Sequence, residues 1–261
     1  MQAKVRVGAV SYLNTKPLVY RLDEIAPYID LSYDLPSRLA DRLASGELDV
    51  ALIPSVEFFQ DPSYEIVSDA CIGCRGPVLS VKLLTRVPFD QIRTLALDEG
   101  SRTSVALVRI LLQQRFGLAP QLASLPIGAG VNDTSADAVL LIGDRAIRTP
   151  AGNFIDEWDL GDQWCRWSEL PFVFAMWVAR PEVDHSMICS DLEQARDEGV
   201  RHLNEIASQE ARAAGLGQPE CLSYLRDNLY FHLGLRERSG LELFRQHAVA
   251  LGMAPAGASC S

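Results

Sequence analysis

The chain has 261 residues and carries 34 acidic against 24 basic side chains, a formal net charge of −10, so its mean field attracts neither a nucleic acid nor an anionic membrane surface. Hydrophobic residues make up 48% and charged residues 22%, the proportions of a globular chain that can fill two modest cores rather than of a disordered one. No run reaches the roughly 20 apolar residues that span a bilayer. The opening Met1-Gln2-Ala3-Lys4-Val5-Arg6 lacks the apolar stretch of a secretory leader, so the chain reads as cytoplasmic. Six cysteines (Cys71, Cys74, Cys165, Cys189, Cys221, Cys260) at irregular spacing favour free thiols over a disulfide framework. Cys71 and Cys74 form a C-x-x-C without the second ligand pair of a zinc site.

In chain order, residues 5–10 are a β-branched run ending in Ser11-Tyr12-Leu13-Asn14-Thr15, after which Pro17, Leu18, Val19 and Leu22 predict a helix. Residues 29–33 alternate as a strand does, 36–44 have helical spacing, and Gly46-Glu47-Leu48-Asp49 turns into the apolar strand 50–53. The βαβαβ order is that of a parallel sheet with covering helices. Further strands are expected at 64–67 and 78–84, and Pro88 with Asp90 marks a break before 94–97 opens a second βα series. There Asp98-Glu99-Gly100-Ser101-Arg102-Thr103-Ser104 leads into an apolar helix over 105–112, followed by strands near 121–125 and 138–142. An apolar run returns at 170–178. Beyond Pro181 the pattern is helical over 192–208, 221–230 and 241–251, and the small, polar tail from 252 onward is expected to fray.

These elements make a two-lobed α/β protein: residues 1–85 with 175–261, and 86–174. Each lobe is expected to be a mainly parallel sheet covered by helices, with a ligand cleft between them at the carboxyl ends of the strands. Ser11, Asn14 and Thr15 fall between the first strand and its helix, where free N–H groups and the positive end of the macrodipole suit a carboxylate. Ser101, Arg102, Thr103 and Ser104 hold the equivalent place in the second lobe. Asn14 and Ser101 are equally natural N-caps, a use worth about 0.5–2 kcal/mol each. Two such loops facing one another would clamp a small dianion, because helix ends and Arg102 act locally whereas the overall charge is screened beyond about 10 Å. Ser80 sits in Gly76-Pro77-Val78-Leu79-Ser80-Val81, a strand that Gly73, Gly76 and Pro77 punctuate as if shaping a site, although a solvated strand serine fits the same pattern.

No phosphate loop, nucleophile elbow or zincin motif occurs. The four histidines (His185, His202, His232, His247) show no i, i+4 pairing and read as helix-packing or surface residues. No metal or organic cofactor is therefore expected.

The stretch Gly8-Ala9-Val10-Ser11-Tyr12-Leu13-Asn14-Thr15-Lys16-Pro17-Leu18 resembles the N-terminal signature of the chorismate dehydratases of the futalosine route to menaquinone. Gly46-Glu47-Leu48-Asp49-Val50-Ala51-Leu52-Ile53-Pro54, Gly76-Pro77-Val78-Leu79-Ser80-Val81, Asp98 with Ser101-Arg102-Thr103-Ser104, Ile142-Gly143-Asp144 and Asp159-Leu160-Gly161 follow in family order. The resemblance implies a type II periplasmic-binding-protein-like fold, with chorismate, a dicarboxylate, as substrate and 3-[(1-carboxyvinyl)oxy]benzoate plus water as products. It also implies that Asn14 and Ser80 lie at the active site and that Ser101, Thr103 and Ser104 contact a substrate carboxylate. Ser11, Tyr12, Thr15, Arg102, Gly143 and Asp144 join them as expected substrate-binding residues. No residue of the matched motifs is plainly a general base, although Lys16 and Asp144 stand near, and a substrate carboxylate could take the proton itself. The helical region after about residue 185 carries no matched motif. Three other readings use the same fold: a solute-binding protein, which would need a leader; the related 1,4-dihydroxy-6-naphthoate synthase, whose signature fits 11–18 less well; and a ligand-sensing regulator, which would need a basic helix-turn-helix before Val5.

Overall fold

A computed structural model describes residues 4–181 and 186–256. His185, Cys260 and the end of the tail lie outside them. Among the described residues eleven strands run in the order β1 (Val5–Val10), β2 (Ile29–Asp34), β3 (Val50–Pro54), β4 (Glu65–Cys74), β5 (Val81–Thr85), β6 (Thr94–Asp98), β7 (Gln121–Leu125), β8 (Ala138–Ile142), β9 (Asp156–Asp159), β10 (Phe172–Ala179) and β11 (Tyr230–His232). They form a six-stranded sheet in the order β11-β4-β10-β3-β1-β2 and a five-stranded sheet in the order β7-β6-β8-β5-β9. The chain passes from the first sheet to the second between β4 and β5 and returns between β9 and β10.

Both sheets are mixed rather than mainly parallel. β1 pairs parallel with β2 and β3, and β6 with β7 and β8, as the βα repeats require. The strands that follow a crossing run the other way: β5 pairs antiparallel with β8 and β9, and β10 inserts antiparallel between β3 and β4. A strand arriving from the other lobe enters its new sheet from the cleft end, so its direction opposes that of the resident strands. Residues 81–85, expected in the first lobe, belong by hydrogen bonding to the second sheet. β3 and β10 are buried at every position, which is why both read as unbroken apolar runs rather than alternating ones.

Three helical expectations resolve differently. Residues Leu13–Val19 form a 3-10 helix with Pro17 inside it, and a four-residue α-helix, Leu22–Ile25, follows. The Pro17 ring would clash with the carbonyl four residues back in an α-helix, which disfavours that form here. The region 192–208 is two helices, Ser186–Arg201 and Leu203–Glu210, parted at His202. The region 221–230 becomes a short α-helix, Gln218–Ser223, a π-helix, Tyr224–Asn228, and the strand β11, whose aromatic residues cover the open edge of β4.

The carboxy-terminal helices complete the first sheet. Gly199 on the helix Ser186–Arg201 meets the 3-10 helix so closely that a Cβ there would lie 2.0 Å from the Pro17 carbonyl oxygen. One apolar core runs through both sheets, joining Leu52 and Trp177 to Leu83, Leu107 and Leu140. A smaller cluster, including Leu84, Val139 and Leu141, fills the far face of the second sheet. No helix among the described residues is long and apolar enough to cross a membrane.

Candidate active site

Where the two sheets meet, the carboxyl ends of β1, β3 and β8, the loop after β6 and the crossing into β5 enclose a cavity of about 50 Å³. Its walls are apolar, with Val10, Ile72, Val78, Ile142 and Phe174 contributing from both sheets. Its polar lining is neutral: Tyr12, Asn14, Ser80, Ser101, Thr103 and Ser104, with Gly143 beside them. Among the described residues no Lys, Arg, His, Asp or Glu lines it. A pocket that holds a ligand of metabolite size has several hundred Å³, so the lobes must part to admit one.

Each donor is held by the local fold. Tyr12 lies flat on Gly143, where φ is +73° and an added Cβ would come within 2.7 Å of the ring. Burial, reinforced by the charge of Asp98, pushes the Tyr12 hydroxyl up to about 12, so it remains a neutral donor. The same ring lines a second cavity of about 250 Å³ with Asp98, Gly100, Asp144 and Arg145. Thr15 is fully buried, and its hydroxyl donates to Asn14 Oδ1 at 3.4 Å, which leaves the Asn14 amide nitrogen to serve as a donor. Ser101 Oγ accepts from the Ser104 N–H at 3.2 Å at the start of the helix Thr103–Phe116, the capping use open to it. Asn14 caps nothing, because it lies inside the 3-10 helix. Thr103 Oγ1 accepts from the Val56 N–H at 3.3 Å and meets Ser55 Oγ at 3.4 Å, so it also ties the two sheets together.

Ser80 closes an unusual turn. Its N–H donates to the Val78 carbonyl at 2.7 Å across Leu79, whose φ is 59°. A three-residue turn with a left-handed central residue is rare, and a non-glycine residue there costs about 1–3 kcal/mol. The Ser80 carbonyl accepts from Gly143 N–H at 2.9 Å, fixing the turn to the end of β8.

Four of the expected substrate-binding residues lie elsewhere. Ser11 is exposed at the mouth of the first loop, and Thr15 is packed beneath it. Arg102 faces the first lobe, where its guanidinium donates to Glu57 at 2.9 Å and to Asp41 at 2.7 Å, so its charge is already neutralised. Asp144 accepts from the Leu13 N–H at 3.0 Å and lines the second cavity only. Burial raises its pKa, opposed by that N–H and by Lys16. Lys16 pairs with Glu210 at 3.0 Å, so neither motif neighbour is a base at the cavity. The described histidines lie outside the cavity lining: His202 stacks on Tyr20 and His247 packs on Trp167. The five described cysteines are free thiols.

One residue that sequence reasoning missed stands behind the donors. Tyr224 opens the π-helix, is fully buried, and its hydroxyl has no hydrogen-bond partner among the described residues. Burial pushes its pKa up, and the neighbouring side chains of Ser80 and Asn14 partly offset this without reaching hydrogen-bonding geometry. A buried tyrosine among apolar neighbours carries no signal in a sequence that separates it from core. The apolar wall escaped as well: Phe174 reads as the interior of the apolar run 170–178, and Ile72 lies beyond the strand expected at 64–67, which the structure extends to Cys74.

A family model described as menaquinone biosynthesis matches residues 5–250. The chain belongs to the menaquinone biosynthesis family. Among curated relatives, the chorismate dehydratase of Thermus thermophilus is 32% identical over 270 residues, covering 95% of this chain and 96% of that one. Among solved structures, a protein from Archaeoglobus fulgidus superposes with a TM-score of 0.76 at 16% identity, over 97% of this chain and 99% of the other. The alkanesulfonate-binding protein SsuA from Xanthomonas axonopodis pv. citri, bound to MOPS, gives 0.64 at 11% identity over 97% and 94%. A Candida albicans gene product with the generic periplasmic binding protein fold gives 0.60 at 12% identity over 92% and 90%. The family member described here thus has the periplasmic-binding-protein-like fold, two α/β lobes with mixed sheets.

Proposed function

We propose that this chain is a chorismate dehydratase, a hydro-lyase that removes water from chorismate to give 3-[(1-carboxyvinyl)oxy]benzoate, acting in the cytoplasm as suits a biosynthetic family. The observation that carries the reading is a cavity between the lobes whose polar lining is made of neutral donors, in a chain 32% identical to a chorismate dehydratase over almost its whole length. The substrate loses a ring hydroxyl and a neighbouring ring proton, and aromatisation drives the step. The apolar walls grip the ring, and Asn14 and Ser80 donate hydrogen bonds where charge develops as the proton leaves and the hydroxyl departs. Donors excluded from water are worth more than the same donors in solution. Ser101, Thr103 and Ser104, at the start of a 14-residue helix, hold a carboxylate through hydroxyls and the positive helix end.

Among the described residues no carboxylate, imidazole or amine lines the cavity; on this reading a carboxylate of the substrate takes the ring proton and passes it to the departing hydroxyl, which leaves as water, and the protein's part is to orient the groups, an effect worth several kcal/mol. Incubating the purified protein with chorismate and following an aromatic product by absorbance and mass tests the reading directly. Tight binding of chorismate without product would instead support a solute-binding role.

A further inference from the structure

We infer that Asp159 is a positioning residue for Ser80: its half-buried carboxylate holds the strained turn that aims Ser80 at the cavity. Asp159 Oδ1 accepts from the Val78 N–H at 3.0 Å and from the Asp162 N–H at 3.0 Å, while Oδ2 accepts from the Leu79 N–H at 2.6 Å. In an extended strand successive N–H groups point to opposite sides. Here one carboxylate reaches the N–H groups of both Val78 and Leu79, so the backbone at Val78 leaves that alternation and the two N–H groups converge, the concavity that backbone N–H groups offer to an anion, and the left-handed Leu79, with φ of 59°, then turns the chain toward Ser80. Asp159 fills it from within the chain.

The residues on either side serve the same contact. Asp159 ends β9 and caps the helix Leu160–Ser168, so its backbone is fixed by a strand and a helix at once. Gly161, two residues on, lets that helix approach the turn: a Cβ there would lie 2.7 Å from Cys74 Sγ, 2.8 Å from the Gly76 carbonyl oxygen and 3.0 Å from Val78 Cβ. Without the carboxylate, Leu79 would relax to an ordinary negative φ, and Ser80 would rotate away from Gly143, whose N–H its carbonyl accepts at 2.9 Å. Asp159 lines neither cavity that Tyr12 borders, so it acts on the reaction through the turn that carries Val78 and Ser80 to the cavity wall.

The inference rests on the proposed reading of Ser80, and the experiment separates the two. Asp159→Asn keeps the size of the side chain but sets an NH2 against a backbone N–H. It should lower kcat on chorismate at least a hundredfold while KM stays within threefold. The amides of Val78 and Leu79 should exchange with solvent at least tenfold faster than in the parent protein. Adding Leu79→Gly, which removes the cost of positive φ, should restore at least tenfold of the lost kcat. If Asp159→Asn does not fold, Asp159→Glu, which keeps the charge and displaces it by one methylene, should show the same selective fall in kcat. A kcat within threefold of the parent in the folded variant, unchanged amide exchange, or no recovery in the double variant overturns the inference. If the parent itself does not turn over chorismate, the functional reading fails while amide exchange still decides the role of Asp159.

Discussion

The loops after β1 and β6 begin alike, each a strand followed by small polar residues and a helix, yet they build different tools. After β6 the helix Thr103–Phe116 runs for 14 residues, long enough to develop a macrodipole, and Ser101, Thr103 and Ser104 sit at its positive end. After β1 the chain makes a seven-residue 3-10 helix interrupted by Pro17, which offers no comparable helix end, so its contribution comes from the side chains of Tyr12 and Asn14. On the proposed function, the second lobe holds charge, and Asn14 of the first lobe attends the reaction together with Ser80 at the crossing between the sheets. Two polar loops in equivalent places thus serve differently according to the helix that follows each.

The largest effect that would break this division is on turnover. Asn14→Ala and Ser80→Ala should each lower kcat on chorismate by about 10²–10³, the loss seen when one donor to developing charge is removed, with unchanged thermal unfolding. Near-normal rates in both would sink the assignment. A second measurement tests the clamp. By small-angle scattering, the product dicarboxylate should compact the protein and plain benzoate should not, since only a ligand touching both loops shifts the equilibrium between open and closed forms. Equal compaction by benzoate would remove the need for a charge-holding end.

A smaller effect concerns the support behind the first loop. Tyr224→Phe deletes a buried hydroxyl that has no partner, and should raise stability by about 1 kcal/mol, seen as a Tm higher by about 2–4 °C. A lower Tm would mean that the hydroxyl is bonded in solution. Smallest of all, Arg102→Ala should leave KM for chorismate within threefold, because Glu57 and Asp41 already hold the guanidinium. A tenfold rise in KM would return Arg102 to the carboxylate-holding loop and blur the contrast between the two lobes.

What the sequence determined by itself was local. Apolar runs marked the buried strands, the loops after β1 and β6 were visible as polar breaks between strand and helix, and the resemblance over 5–180 pointed to Asn14, Ser80 and the Ser101, Thr103 and Ser104 run. All five line the cavity. What the tertiary structure decided depends on partners far apart in the chain. Arg102 leaves the ligand site because Asp41, 61 residues earlier, and Glu57 claim it. Ser80 is aimed by a carboxylate 79 residues later, bonded to the Leu79 N–H across a separation of 80. Tyr224 reaches the donors only because a π-helix brings the carboxy-terminal segment under them. The two crossings between sheets reverse the strands β5 and β10, and no periodicity along the chain records direction. Side-chain spacing shows which face a residue takes within its own element, whereas an ion pair, a strained turn or an unpartnered hydroxyl exists only once distant elements meet.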